Sequence, residues 1–201
     1  MTRRFPSGET QSNEFVYDEW GNLVSLHYYE NGVYRARHTL RFTKVGNRIN
    51  VVSASWFFEP GSYSSYIILN EQGFAESQET TFQGDWSAKK KFLYHHENSN
   101  LIRMEEEDTY NDVYGGRNHT FTYDSYKSPF YYCETPKWVF TLFYREWWSF
   151  GINAIQNNIT ERNYPNPIEY EYLYNSSGLP FERIGGDTVT RYRYKNNIIK
   201  Q

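Results

Sequence analysis

Tyr17-Asp18-Glu19-Trp20-Gly21-Asn22-Leu23 reads as a turn between two strands, and its echoes along the chain decide the fold. An aromatic residue ends the incoming strand, and the aspartate beside it can bond the backbone two residues on. Glycine takes a position that favours positive φ, and an apolar residue opens the returning strand. Leu69-Asn70-Glu71-Gln72-Gly73-Phe74 and Tyr174-Asn175-Ser176-Ser177-Gly178-Leu179 repeat the pattern, with weaker copies from Tyr94 to Leu101 and from Tyr123-Asp124 to Phe130. The turn signals at Gly21, Gly46, Gly73, Asn100 and Ser128 stand 25 to 28 residues apart, and Gly178 carries the last of them. That spacing holds two strands and two turns, so the chain reads as a stack of β-hairpins. Asn100 fits because asparagine tolerates the left-handed region, whereas Ser128 predicts a different turn.

A second set of signals lies between the first: Asn31-Gly32, Pro60-Gly61, Gly84-Asp85, Gly115-Gly116 and Gly185-Gly186. The two sets together predict an antiparallel meander of about a dozen strands forming a curved sheet. Period-two patterning agrees. Tyr170, Tyr172 and Tyr174 alternate with Glu169, Glu171 and Leu173, and Thr190-Arg191-Tyr192-Arg193-Tyr194-Lys195 alternates ring with cation. One face is aromatic and the other charged, as in a sheet with one wet side.

With 20 Tyr, 14 Phe and 6 Trp, cross-strand aromatic pairs are the expected core. One stretch breaks the repeat. Thr135-Pro136 is a helix start signal, and Trp138 to Trp148 is apolar nearly all round, which predicts a short buried helix near 136–148 covering the aromatic face. The expected organisation is a polar N-terminal segment, 1–13, and a single β-repeat domain, 14–201. A membrane barrel is disfavoured because mid-strand Arg and Lys on outward faces would each cost roughly 2–4 kcal/mol at membrane depth.

The Tyr-Asp-x-x-Gly-Leu turns resemble degenerate copies of the YD repeats of Rhs-type wall proteins and toxin shells. The longer layout is more similar to an uncharacterised family of secreted Bacteroidetes lipoproteins. It comprises Ser128-Pro129-Phe130, an apolar helix, Asn157-Asn158-Ile159-Thr160, and Tyr170-Glu171-Tyr172-Leu173-Tyr174-Asn175-Ser176-Ser177-Gly178-Leu179-Pro180. This resemblance implies export and an extracytoplasmic location, in the periplasm or on the outer surface. The family's lipobox cysteine and leader do not appear in the sequence.

The residues recommend no chemistry. The chain lacks Gly-x-Ser-x-Gly, Walker, dinucleotide and His-Glu-x-x-His motifs. The five histidines have no zinc-type spacing, Cys133 has no cysteine partner, and Glu105-Glu106-Glu107-Asp108 reads as a solvated face. No cofactor or metal is expected. A net charge of −3 offers no polyanion-binding face, so nucleic acid is not an expected partner, and Lys89-Lys90-Lys91 reads as a solvated strand start. No transmembrane segment is expected, because no apolar span is long enough.

Three functional classes follow. The first is a non-enzymatic extracytoplasmic binding protein, with a glycan as ligand and Trp20, Trp86, Trp147 and Trp148 as the candidate stacking residues. The second is an envelope interaction module that uses a sheet edge to meet another protein. The third is a hydrolase whose site is assembled from distant strands. Asp187-Thr188-Val189 also resembles the Asp-Thr-aliphatic acceptor for O-glycans in those bacteria, which makes Thr188 a candidate modification site.

Overall fold

The computed structural model describes residues 2–4, 8, 10–53, 62–83, 87–110, 113–140, 156–163, 166–185, 188–192 and 194. The strands are β1 (Thr2–Arg4), β2 (Thr10–Tyr17), β3 (Leu23–Glu30), β4 (Val33–Tyr34), β5 (Leu40–Val45), β6 (Arg48–Ser53), β7 (Ser62–Leu69) and β8 (Ala75–Gln83). They continue with β9 (Ser87–Glu97), β10 (Asn100–Tyr110), β11 (Val113–Lys127), β12 (Asn157–Asn163), β13 (Pro167–Tyr174), β14 (Pro180–Gly185) and β15 (Thr188–Arg191). Their hydrogen-bonded order is their chain order, with β4 alone off the path on β3, so the fold is an antiparallel meander. Contacts divide the chain into two compact units. The first comprises Met1–Tyr94, Glu105–Arg117 and Thr135–Leu142, and the second His95–Met104, Asn118–Glu134 and Phe143–Gln201.

Three hairpins share one construction. The side-chain oxygen Oδ1 of Asp18 accepts the backbone N–H of Trp20 at 3.0 Å and of Asn22 at 2.8 Å. Asn70 does the same for Gln72 and Phe74, and Asn175 for Ser177 and Leu179, all at 3.0 Å. The Asn22 amide, donating to the Asp18 carboxylate, holds that acid below its usual range. In each turn the glycine N–H returns to the carbonyl of the Asp or Asn three residues earlier. Each register then slips by one residue, at Val16/Tyr17, Ile68/Leu69 and Leu173/Tyr174, the three-residue loop with a glycine bulge. Gly73 sits at φ 80°. Gly73→Ala therefore lowers stability by about 1–2 kcal/mol, an effect readable as a lower urea midpoint at unchanged slope. An unchanged midpoint would mean that the left-handed conformation is not required there.

Other turn signals resolve differently. Between β9 and β10 the left-handed residues are Asn98 (φ 49°) and Ser99 (φ 65°), a two-residue turn. Asn100 instead opens β10, and its buried side chain exchanges hydrogen bonds with Asn157 at 2.9 and 3.1 Å. Ser128 is fully buried and donates its backbone N–H to Gln156 O at 3.1 Å. Gly115 and Gly116 lie inside β11 and make no turn. A β-carbon at Gly115 would collide with the Asp108 carboxylate, and one at Gly185 with the Tyr170 ring that lies directly across β13 and β14. At both positions glycine supplies room for a neighbouring side chain.

In the first unit, the inward face of β5 to β9 buries Leu40, Phe42, Ile49, Val51, Ile67, Phe82 and Phe92. A polar row crosses the same face. Gln78 Nε2 donates to Ser65 Oγ and Thr80 Oγ1, both at 3.1 Å, and Tyr94 donates to Gln78 Oε1 at 2.8 Å. The expected helix is a 3₁₀ turn over Lys137–Phe140, and 141–148 lies outside the described residues. A run of aromatic and β-branched side chains has weak helix propensity. At three residues per turn, consecutive Trp138, Val139 and Phe140 point in three directions, and all are buried. Trp138 meets Phe42 edge-on at 5.1 Å, so this turn packs on the core of the first unit.

Candidate functional site

The site is built on β2, in the first unit. β3 pairs with one flank of β2 along nearly its whole length, but on the other flank β1 reaches only Thr10 to Ser12. Among the described residues no strand pairs with that flank from Glu14 to Tyr17. A groove of about 620 Å³, open to solvent, follows β2 from Ser12 to Tyr17, and side chains from both strand faces line it. The five residue-to-residue steps of extended chain from Ser12 to Tyr17 make it roughly 16 Å long.

Each end of the groove is set by a tyrosine. At one end the Tyr17 hydroxyl meets Thr135 Oγ1 at 2.9 Å, which ties the hairpin base to the segment leading into the 3₁₀ turn. At the other, Tyr29, opposite Ser12 in the ladder, donates its hydroxyl to Glu14 Oε2 at 2.7 Å. That carboxylate holds the Tyr29 hydroxyl above the usual tyrosine range. Tyr29 also leans on Tyr34, with ring centres 5.6 Å apart. Phe15 adds a ring between the two ends, and Glu14 is the one carboxylate among the lining residues.

Trp20 stands three residues beyond Tyr17, at the tip of the same hairpin, and is 78% exposed. Trp86, Trp147 and Trp148 lie outside the described residues. Thr188 opens β15 opposite Gly185. Gly21, Gly46, Gly73 and Gly178 all have positive φ at hairpin turns. Tyr17 stood in the opening motif as a strand end and Thr135 as a helix start, whereas Glu14 and Tyr29 carried no signal, because only the fold brings them together.

The second unit holds a different cluster. Tyr123, Tyr172 and Tyr192 have their hydroxyls raised above the usual tyrosine range, chiefly by burial, and Tyr194 is pushed up to about 12 for the same reason. Arg183 lies over the Tyr170 ring at 4.9 Å. Asp124, the aspartate of a repeat copy whose strand does not turn, accepts the Tyr126 N–H at 3.0 Å and the Asn158 N–H at 3.2 Å. It also accepts the Asn158 side-chain amide and the Tyr174 hydroxyl. Asn158 is fully buried, so this cluster reads as architecture that closes β11 onto β12.

Two acidic and basic runs change their reading. Lys89 and Lys91 are exposed, but Lys90 turns inward and places Nζ 2.6 Å from Glu106 Oε1 and 3.8 Å from Asp108 Oδ2. Glu106 is only 3% exposed, so neither run is simply a solvated face. Among the described residues no three His, Cys, Asp or Glu side chains gather as a metal-binding group, and no helix is long and apolar enough to cross a membrane.

No family profile matches the chain, and no curated protein matches it. Among solved structures, the chain is similar to a porin-like protein from Bacteroides uniformis. The identity is 11% and the TM-score 0.42, over 92% of this chain and 84% of that one.

Proposed function

We propose that the chain is a non-enzymatic binding protein acting outside the cytoplasm, and that it holds an extended, hydroxyl-rich ligand, a glycan, along β2. The lining of the groove carries this reading: rings from Phe15, Tyr17 and Tyr29 interleaved with hydroxyl, amide and carboxylate groups from Ser12, Asn13 and Glu14. Rings stack on the apolar faces of sugars while the polar groups take their hydroxyls. Trp20, exposed at the adjoining tip, extends the platform. Binding fits better than hydrolysis, because glycoside cleavage uses a pair of carboxylates and the groove lining offers Glu14 alone. The location outside the cytoplasm is supported by the likeness to secreted lipoproteins.

One observation favours a second reading. The groove along β2 also suits an extended peptide, whose main chain would lie along the strand as in β-augmentation.

An arrayed glycan panel, followed by titration of the tryptophan fluorescence, tests the first reading. A saturable hit is expected, weakened about tenfold or more in Tyr17→Ala and Trp20→Ala. A blank across the panel would overturn it. Protection of β2 amides from hydrogen exchange by an extended peptide would then put the second reading in its place.

A further inference from the structure

Resting on the groove reading, we infer that the ligand carries positive charge, and that the preferred ligand is an oligosaccharide of amino sugars with free amines, recognised through Glu14. Glu14 is exposed, stands midway along the groove, and is the one carboxylic acid among its described lining residues, which include no Lys, Arg or His. A ligand of neutral sugars would leave this charge unanswered in the contact zone.

Two features hold the carboxylate ready. The Tyr29 hydroxyl at 2.7 Å fixes Oε2, leaving Oε1 for a ligand. His27 is the direct cross-strand partner of Glu14 on β3, and its ring packs on Tyr34 at 5.0 Å, so the imidazole has a place of its own beside the acid. The neighbouring cation Arg35 is paired with Glu30 at 3.0 Å. An ammonium group on a sugar ring that stacks on Tyr29 would meet a carboxylate and an aromatic face together, two attractions that a hydroxyl or an acetamide does not offer.

A Lys-bearing peptide strand could present the same ammonium. The amino-sugar oligomer is favoured because several rings line the groove within five residues of β2, a spacing suited to repeated flat sugar faces.

The test is a titration of the whole chain, by calorimetry, with three oligomers of equal length: free-amine glucosamine, its N-acetylated counterpart and a neutral glucan. The free-amine oligomer is expected to bind about tenfold tighter than the other two at low salt, and the gap is expected to narrow as salt rises. Glu14→Gln should remove the preference, bringing the free-amine oligomer to the affinity of the other two. Tyr29→Phe, which keeps the ring and frees Oε2, should retain the preference.

Equal affinity for all three oligomers would overturn the inference while leaving the groove reading intact. So would a preference that survives in Glu14→Gln. Absence of binding by any oligomer would overturn both, and binding of a lysine-bearing peptide alone would replace the sugar by a strand.

Discussion

Replacing Lys90 by methionine is expected to lower stability by about 3–5 kcal/mol, because it strips the partner from a buried carboxylate. Lys90 Nζ lies 2.6 Å from Glu106 Oε1, and Glu106 is 3% exposed on an inward face that also holds Thr80 and Phe92. The cost is set by the charge left behind and exceeds what the pair contributes. The double replacement Lys90→Met with Glu106→Leu is therefore expected to recover most of the loss. Urea unfolding of the four proteins in this cycle measures both numbers. A single-variant loss below about 1 kcal/mol, the scale of a solvent-exposed pair, would show that the acid is hydrated and the inward placement wrong.

Raising the pH is expected to unfold the protein cooperatively between about pH 10 and 12. An unfolded tyrosine releases its proton near 10, whereas Tyr123, Tyr172 and Tyr192 are held protonated by burial and Tyr194 is pushed up to about 12. Below pH 10 both states carry the protons and nothing changes. Above it the unfolded chain loses protons that the folded chain retains, so stability falls as pH rises. Each fully held tyrosine contributes roughly 1.4 kcal/mol of loss per pH unit, and three together roughly 4. A domain with 5–15 kcal/mol in hand cannot outlast that for long. Tyrosinate absorbance and circular dichroism should therefore change in one shared transition, and Tyr172→Phe should make it shallower. Tyrosines that titrate near pH 10 with the circular dichroism unchanged would contradict the burial of this face.

The hairpins were legible because their causes are local. An Asp or Asn followed three residues later by glycine closes the same turn at Asp18, Asn70 and Asn175 whatever surrounds it. Gly115 misled because one letter serves two physical needs, a left-handed backbone and the absence of a side chain beneath a neighbour. Only the cross-strand register separates them. The charged runs misled for a related reason: period two sends alternate members inward, and Lys90 finds its acids only when β9 and β10 fold back on the Asn98-Ser99 turn. The groove was invisible because Tyr29 and Thr135 reach the β2 side chains only through the fold.

The aspartate of the copy that does not turn has a wider consequence. Asp124 no longer turns the chain; it gathers the backbone and side chain of Asn158, while Ser128 donates its backbone N–H to Gln156. The chain leaves the ladder and returns to it through one tied knot, made by Asp124, Ser128, Gln156 and Asn158. Because the cost of closing a loop grows only slowly with its length once the ends are fixed, descendants of this fold can change the length of the connection from β11 to β12 cheaply, so long as the contacts of Thr135 with Tyr17 and of Trp138 with Phe42 are kept.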